Sequence, residues 1–351
     1  EEWFFFIIIR KIHRLHLWHK QDDVSLWVCF LSLDKKRFLI LINMANIRNK
    51  RFSSANEELA ISYSVRFWLF LISDILSIQC GLFVLYQLLF DRNLRGKLSY
   101  YTITALLLIN LIFQCITIPL IIHYYRLDGI WQIARPFAKI SHFLNFALFA
   151  TETILFAWCC IERYIIIFHY RWLKKPRRRH IFQYFPLIII SYCFIYYSLI
   201  IFYPFCEYIP YQSTINGVFI PCFLVDPILS KYDLILHQII PLILIFTFTF
   251  LLFFRFVKRK RQFHQRNQWS KQQKLIIQVL VIFIVFCGFQ FPWTVLQLCS
   301  LFGLSLNSFG NVKNYMFFFG YYVCFLLPIV CCGTLPDLRI KLKTFFCCKK
   351  Y

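Results

Sequence analysis

The chain has 351 residues, of which 60% are hydrophobic and only 16% charged, with a formal net charge of +23. A soluble domain carries about 25% charged residues, so these proportions exclude an ordinary water-soluble fold and leave a protein that crosses a membrane several times. Such an excess of cations could suit nucleic acid, but it collects in short loops between apolar runs, which fits membrane orientation and contact with anionic lipid; no nucleic-acid partner is expected.

Residues 1–62 form an N-terminal segment. The first methionine is Met44, and residues 1–43 mix short apolar runs (4–9 and 38–42) with scattered charge. They lack the basic start and small-residue cleavage site of a signal peptide. The expectation is a fragmentary or misassigned start, with the working chain beginning near Met44. A bilayer core about 30 Å thick needs about 20 mostly apolar residues per helix. Seven runs meet that length, at 65–90, 100–124, 137–168, 181–205, 232–257, 275–301 and 313–333. The expected fold is therefore all-α, a seven-transmembrane helix bundle over 63–335, followed at 336–351 by a short amphipathic helix and tail.

Orientation follows from the loops. Arg92, Arg95 and Lys97 follow the first span, and Arg171, Lys174, Lys175, Arg177, Arg178 and Arg179 follow the third. Lys258, Arg259, Lys260, Arg261, Arg266, Lys271 and Lys274 separate the fifth from the sixth, whereas the opposite loops hold only Arg126, Arg135 and Lys231. Cations mark the cytoplasmic side, so the N-terminus is expected outside and the C-terminus inside. After the seventh span, apolar residues at 335, 338, 342 and 345 alternate with basic ones at helical spacing. That pattern suits an eighth helix lying on the inner leaflet, and Cys347 and Cys348 behind it are candidate palmitoylation sites.

Most of the fifteen cysteines lie inside spans, where Cys behaves as a small hydrophobe. Cys206 and Cys222 share one outer loop, where an oxidising face favours pairing, though either could stay free. There is no Asn-x-Ser/Thr sequon. Neither a His/Cys/Asp cluster with metal spacing nor a Gly-rich phosphate loop occurs, so no metal, cofactor or enzymatic activity is expected.

Glu162-Arg163-Tyr164 closes the third apolar run. An Arg at that place is most often an anchor that lifts its charge into the headgroups. Pro241, Pro292 and Pro328 lie inside spans five, six and seven, where each removes a backbone hydrogen bond and kinks its helix. Asp74 and Glu152 lie within apolar spans, at about 2.5–3.5 kcal/mol each unless paired or protonated.

Seven spans, an outside N-terminus and Glu-Arg-Tyr at the inner end of span three make residues 63–348 resemble the rhodopsin-like (class A) G-protein-coupled receptors. The resemblance implies that Glu162 holds Arg163 at rest and that Arg163 is released to meet a heterotrimeric G protein, with Tyr164 completing the motif. The three prolines stand in the family's kinked spans, and Phe286, six residues before Pro292, matches its core aromatic. Departures are plain. The toggle tryptophan is Gln290, and Asn-Pro-x-x-Tyr is Leu327-Pro328-Ile329-Val330-Cys331. The span-three disulfide cysteine is Ala138, the amine-binding aspartate is Asn145 and the retinal lysine is Tyr321. The resemblance then implies an extracellular peptide or small neutral ligand, held among Asn145, Gln297, Tyr321 and Tyr322. For each of these, an interhelical hydrogen bond is the commoner role. Asn110 stands where the family has a sodium-binding aspartate and Glu152 where it has a hydroxyl, so the carboxylate has either moved across a cation site or is a protonated acid bonded to Asn110. The implied setting is the plasma membrane. The competing readings are a seven-span transporter or channel, which would keep more charge at mid-depth, and a receptor-like scaffold that no longer signals, suggested by the lost switch residues.

Overall fold

The computed structural model describes residues 61–90, 98–127, 135–169, 172–173, 175–203, 214–215, 218–219, 221–224, 226–260, 266–301 and 311–334. The chain divides into two compact units, Glu1–Val65 and Arg66–Tyr351, and the second holds the helix bundle from Arg66 onward. In order, the helices are α1 (Tyr63–Phe90), α2 (Leu98–Arg126), α3 (Arg135–Phe168), α4 (Pro176–Phe202), α5 (Pro227–Leu234), α6 (Ile240–Lys260), α7 (Arg266–Phe289), α8 (Phe291–Leu301), α9 (Asn311–Gly320) and α10 (Tyr322–Thr334). Six spans are long and apolar enough to cross a bilayer, and the bent pair α7–α8 supplies a seventh. The all-α seven-span bundle expected from the sequence is present. Helices prevail because no water in the hydrocarbon layer could satisfy an open backbone.

The prolines shape the last three spans. In span five a π turn (Ile235–Ile239) joins α5 to α6, and the Ile240 N–H reaches back to the Ile235 carbonyl. Pro241 has no N–H to offer His237, so the extra residue in this turn accommodates the missing bond. Span six is bent by 44° between Phe289 and Phe291. The bend centres on Gln290, two residues before Pro292, because the carbonyl this proline leaves unbonded belongs to Gly288, one turn upstream. Span seven is tightened at Tyr321, whose carbonyl accepts from the Cys324 N–H at 3.0 Å. Pro328 lies within α10.

Most helices extend past the apolar runs expected from the sequence. α7 begins at Arg266 rather than 275, since a polar cytoplasmic extension is invisible to an apolar count. α4 begins at Pro176, a residue preorganised for a first helical turn. Between spans four and five, β1 (Thr214–Ile215) pairs antiparallel with β2 (Val218–Phe219). That register leaves Asn216-Gly217, a strong hairpin dipeptide, as the connection.

α3 runs through the centre, packed on α2, α4 and α6. In its most apolar stretch 61% of residues are buried, against 28% in span five. An aromatic layer closes the space between spans one, two and seven: Phe70 stacks on Phe318 at 4.7 Å and meets Tyr125 edge-on at 5.5 Å. The central helix ends on Glu162-Arg163-Tyr164.

Candidate activation switch and core polar site

Arg163 has no exposed surface and is among the largest fully buried side chains of the protein. This overturns the headgroup-anchor alternative, because a snorkelling arginine carries its charge out to water. The guanidinium lies against Cys159 one turn back on α3. It also acts electrostatically on Cys331 of α10, the residue standing where the family has its tyrosine. Gln278 of α7 reaches the same Cys331, Nε2 donating to Sγ at 3.9 Å. Spans three, six and seven therefore converge on Arg163.

Glu162 is buried too, and it acts electrostatically on Arg163 with the Thr102 hydroxyl of α2 close by. Neither carboxylate oxygen accepts a hydrogen bond among the described residues. The acid thus supplies field rather than a bonded clasp. Tyr164 does the outward work: the Arg255 guanidinium of α6 lies 5.0 Å from its ring and 5.5 Å from that of Phe168. Arg255 Nη1 comes 3.5 Å from His169 Nε2. These contacts tie span five to the end of span three by cation–π attraction.

Deeper in the bundle, Pro328 leaves the Cys324 carbonyl, four residues earlier, without its helical donor. Two side chains of α2 replace that donor. Asn110 Nδ2 reaches the oxygen at 2.9 Å and Gln114 Nε2 at 2.7 Å. Gln114 also donates to Ser77 Oγ at 2.7 Å, and Ser77 donates to the Phe325 carbonyl at 2.8 Å. α1 meets Pro328 at Gly81, where a β-carbon would lie 3.7 Å from the proline ring, an ordinary van der Waals contact. On the other side of α10, Cys324 Sγ donates to Glu152 Oε2 at 3.4 Å. Asn110 and Glu152 thus meet through one residue, the first at its carbonyl and the second at its thiol.

A cavity of about 20 Å³ opens on the Glu152 side, lined by Glu152, Phe286, Gln290, Val323 and Cys324 among others. A space of that size holds one water or one small cation. Glu152 Oε1 is buried and accepts no hydrogen bond among the described residues. Asn110 does not line the cavity; Gln290, which replaces the toggle tryptophan, does. Phe286 packs on Phe156 of α3 at 5.5 Å. Asp74, also buried, acts electrostatically on Cys115 and Cys324.

Among the outer-half residues, Asn145 faces the Tyr321 hydroxyl. Tyr322 turns the other way, toward Ser73 and the Phe70 ring of α1. Asn145 Oδ1 and Gln297 Oε1 are buried acceptors with no donor among the described residues. The sequence reading missed Asp233 and His237, which lie at the entrance of span five and are buried against α4. Asp233 lies inside the fifth apolar run, and the i, i+4 spacing of an acid and a histidine at a span entrance was the available signal. Cys206 and the segment 335–351, with Cys347 and Cys348, lie outside the described residues; Cys222 begins a short 3₁₀ turn (Cys222–Leu224).

No curated protein matches the chain. A family model does: that of the 7 transmembrane receptor (rhodopsin family), over residues 81–331, more than two thirds of the chain. The matched stretch runs from the glycine where α1 meets Pro328 to the cysteine facing Arg163, and contains the polar core apart from Asp74 and Ser77 of α1; this multi-pass membrane protein belongs to the rhodopsin family of seven-transmembrane receptors.

Proposed function

We propose that the protein is a plasma-membrane receptor, N-terminus outside and C-terminus in the cytoplasm, that transduces an extracellular ligand to a heterotrimeric G protein through Arg163. The observation that carries this reading is the complete burial of Arg163 where spans three, six and seven meet. A buried, permanently charged side chain is costly and therefore kept for a role. Moving the inner half of span six away would part Gln278 from Cys331 and uncover the guanidinium, a two-state element that ligand and G protein can both bias. The bend at Gln290 gives that half a place to hinge.

The ligand is a peptide or a small neutral molecule that offers hydrogen-bond donors. Asn145 Oδ1 and Gln297 Oε1 are acceptors without donors among the described residues, and a buried acceptor left so costs about 1–3 kcal/mol. Glu152, with the cavity beside it, suits a small cation that favours the resting arrangement. Cys206 and Cys222 are assigned as a disulfide of the outer loop, and Cys347 and Cys348 as acylated cysteines at the inner leaflet.

The test is nucleotide exchange by a panel of purified G proteins, with the receptor in lipid nanodiscs. Exchange above receptor-free nanodiscs for at least one G protein, lost in Arg163→Ala, is expected. Equal exchange with and without receptor across the panel would favour a scaffold that no longer signals.

A further inference from the structure

At the entrance of span five, Asp233 Oδ1 accepts two hydrogen bonds: from the Tyr197 hydroxyl of α4 at 2.8 Å and from the His237 ring, whose Nδ1 lies 3.0 Å away. The other ring nitrogen of His237, Nε2, lies 3.2 Å from the Tyr192 hydroxyl. The Tyr196 ring closes over the imidazole at 4.5 Å. His237 has no exposed surface and Asp233 almost none. The cluster thus chains four polar side chains across the α4–α5 joint, with its histidine inside the π turn that precedes Pro241. Asp233 lies six residues into α5, about 9 Å from its start at 1.5 Å per residue.

Ionisable groups at membrane depth are costly and mark functional sites by default. His237 and Asp233 are enclosed so far that a proton is the ligand they can take up, while Tyr192 at the edge of the cluster is 41% exposed. We propose that the Tyr192–His237–Asp233–Tyr197 cluster is a binding site for extracellular protons that sets the packing of span five against span four. The outer placement rests on the orientation proposed above; the proton site itself does not require that the protein signal.

The chemistry is specific. With a neutral imidazole, the network assigns the ring proton to Nδ1, which donates to Asp233, while Nε2 accepts from Tyr192. A second proton, on Nε2, turns that nitrogen into a donor and obliges Tyr192 to become the acceptor. The Nδ1–Asp233 bond, already charge-assisted on the carboxylate side, becomes an ion pair with both partners ionised. Proton uptake therefore tightens the joint on both sides of the ring. Histidine is the side chain whose ordinary titration falls between pH 5 and 8.

The neighbours that could compete are few. α4 presents Tyr192, Cys193, Tyr196 and Tyr197, and α5 presents Tyr232, all of which interact with the pair or with one another. α3 presents Phe146, stacked on Tyr197 at 6.2 Å, with His142 behind it, also at 6.2 Å. The turn Cys222–Leu224 contributes the Phe223 ring, and α8, which also touches α5, carries no charged side chain. Of the charged groups nearby in sequence, Lys231 is exposed and Asp226 is committed to capping α5.

The experiment uses the full-length receptor in nanodiscs. Thermal unfolding is followed from pH 8 to pH 5.5 in wild type, His237→Gln, Asp233→Asn and, as a control for the second histidine, His142→Gln. Ring-¹⁵N-labelled histidine spectra are recorded over the same range. The expected result is a histidine signal, absent in His237→Gln, that changes from neutral to charged within that range. The midpoint advantage of wild type over His237→Gln is expected to grow by several degrees toward pH 5.5, with His142→Gln behaving as wild type. A His237 signal that stays in one charge state throughout, or an advantage that does not change with pH, overturns the proposal. If a variant fails to fold, the wild-type spectrum and a Tyr192→Phe variant, which removes only the hydroxyl facing Nε2, decide in its place. Nucleotide exchange is a separate arm: its absence at every pH counts against the signalling reading and leaves the proton result standing.

Discussion

At the scale of single residues, burial changes what each substitution tests. The sequence offered Arg163 at the end of the third apolar run as a headgroup anchor; the structure encloses it completely. Arg163→Ala is therefore expected to lower G-protein exchange about tenfold or more, a loss of at least ~1.4 kcal/mol in the activated complex, and also to lower the thermal midpoint, because it empties a packed site. Measuring both separates the two effects. A variant that exchanges normally once matched for folded protein would show that Arg163 only fills space. Glu152 allows a second test. If it holds a cation beside the 20 Å³ cavity in the resting state, replacing sodium by a large organic cation at constant ionic strength raises agonist affinity in wild type and has no effect in Glu152→Gln. A sodium effect of the same size in both proteins would exclude Glu152 as its seat.

At the scale of the element, the prolines connect sequence to packing. Each removes one backbone donor, and the bundle answers each in a different way: a π turn before Pro241, a 44° bend before Pro292, and two amide side chains at the carbonyl freed by Pro328. The last answer is redundant, which gives it a measurable signature. Asn110→Leu or Gln114→Leu alone is expected to cost about 1 kcal/mol, since the other amide still serves the Cys324 oxygen. The double variant is expected to cost more than the sum of the two, because it strands a buried acceptor at about 1–3 kcal/mol. A thermal-unfolding double-mutant cycle with no coupling energy would show that the two donors act independently.

At the scale of the whole molecule, orientation is set by cations that cannot be pulled through the bilayer. An epitope placed after Tyr351 is expected to label only in permeabilised cells, and one near Asn56 in intact cells. Labelling of both on one side would mean an even number of crossings. The tail supplies a further test: hydroxylamine-sensitive acyl label is expected on the wild-type chain and absent from the Cys347→Ser/Cys348→Ser variant. Label that persists in the double variant would place the lipid elsewhere. Two chains are expected because one alone gives only marginal membrane binding.

The number of spans, the helical class and the family resemblance were legible in the sequence, because a hydrocarbon layer reduces folding to a one-dimensional rule: about 20 apolar residues, a helix, and cations left on one side. The kinks were legible for a similar local reason, since a proline removes its hydrogen bond wherever it lies. What lies across the bundle was not legible. Nothing in the local sequence says that Arg163 faces inward to Cys331, that Asn110 and Gln114 both reach the carbonyl of Cys324, or that Tyr322 turns from Asn145 toward Ser73. Each of these depends on how two helices rotate about their own axes when they pack. In lipid that rotation is decided by side-chain fit and interhelical hydrogen bonds, because the solvent is as apolar as the side chains and imposes no inward face. The Asp233–His237 pair shows the same limit. Its spacing was visible in the chain, but only the approach of α4 turned it into a linked cluster of four polar groups.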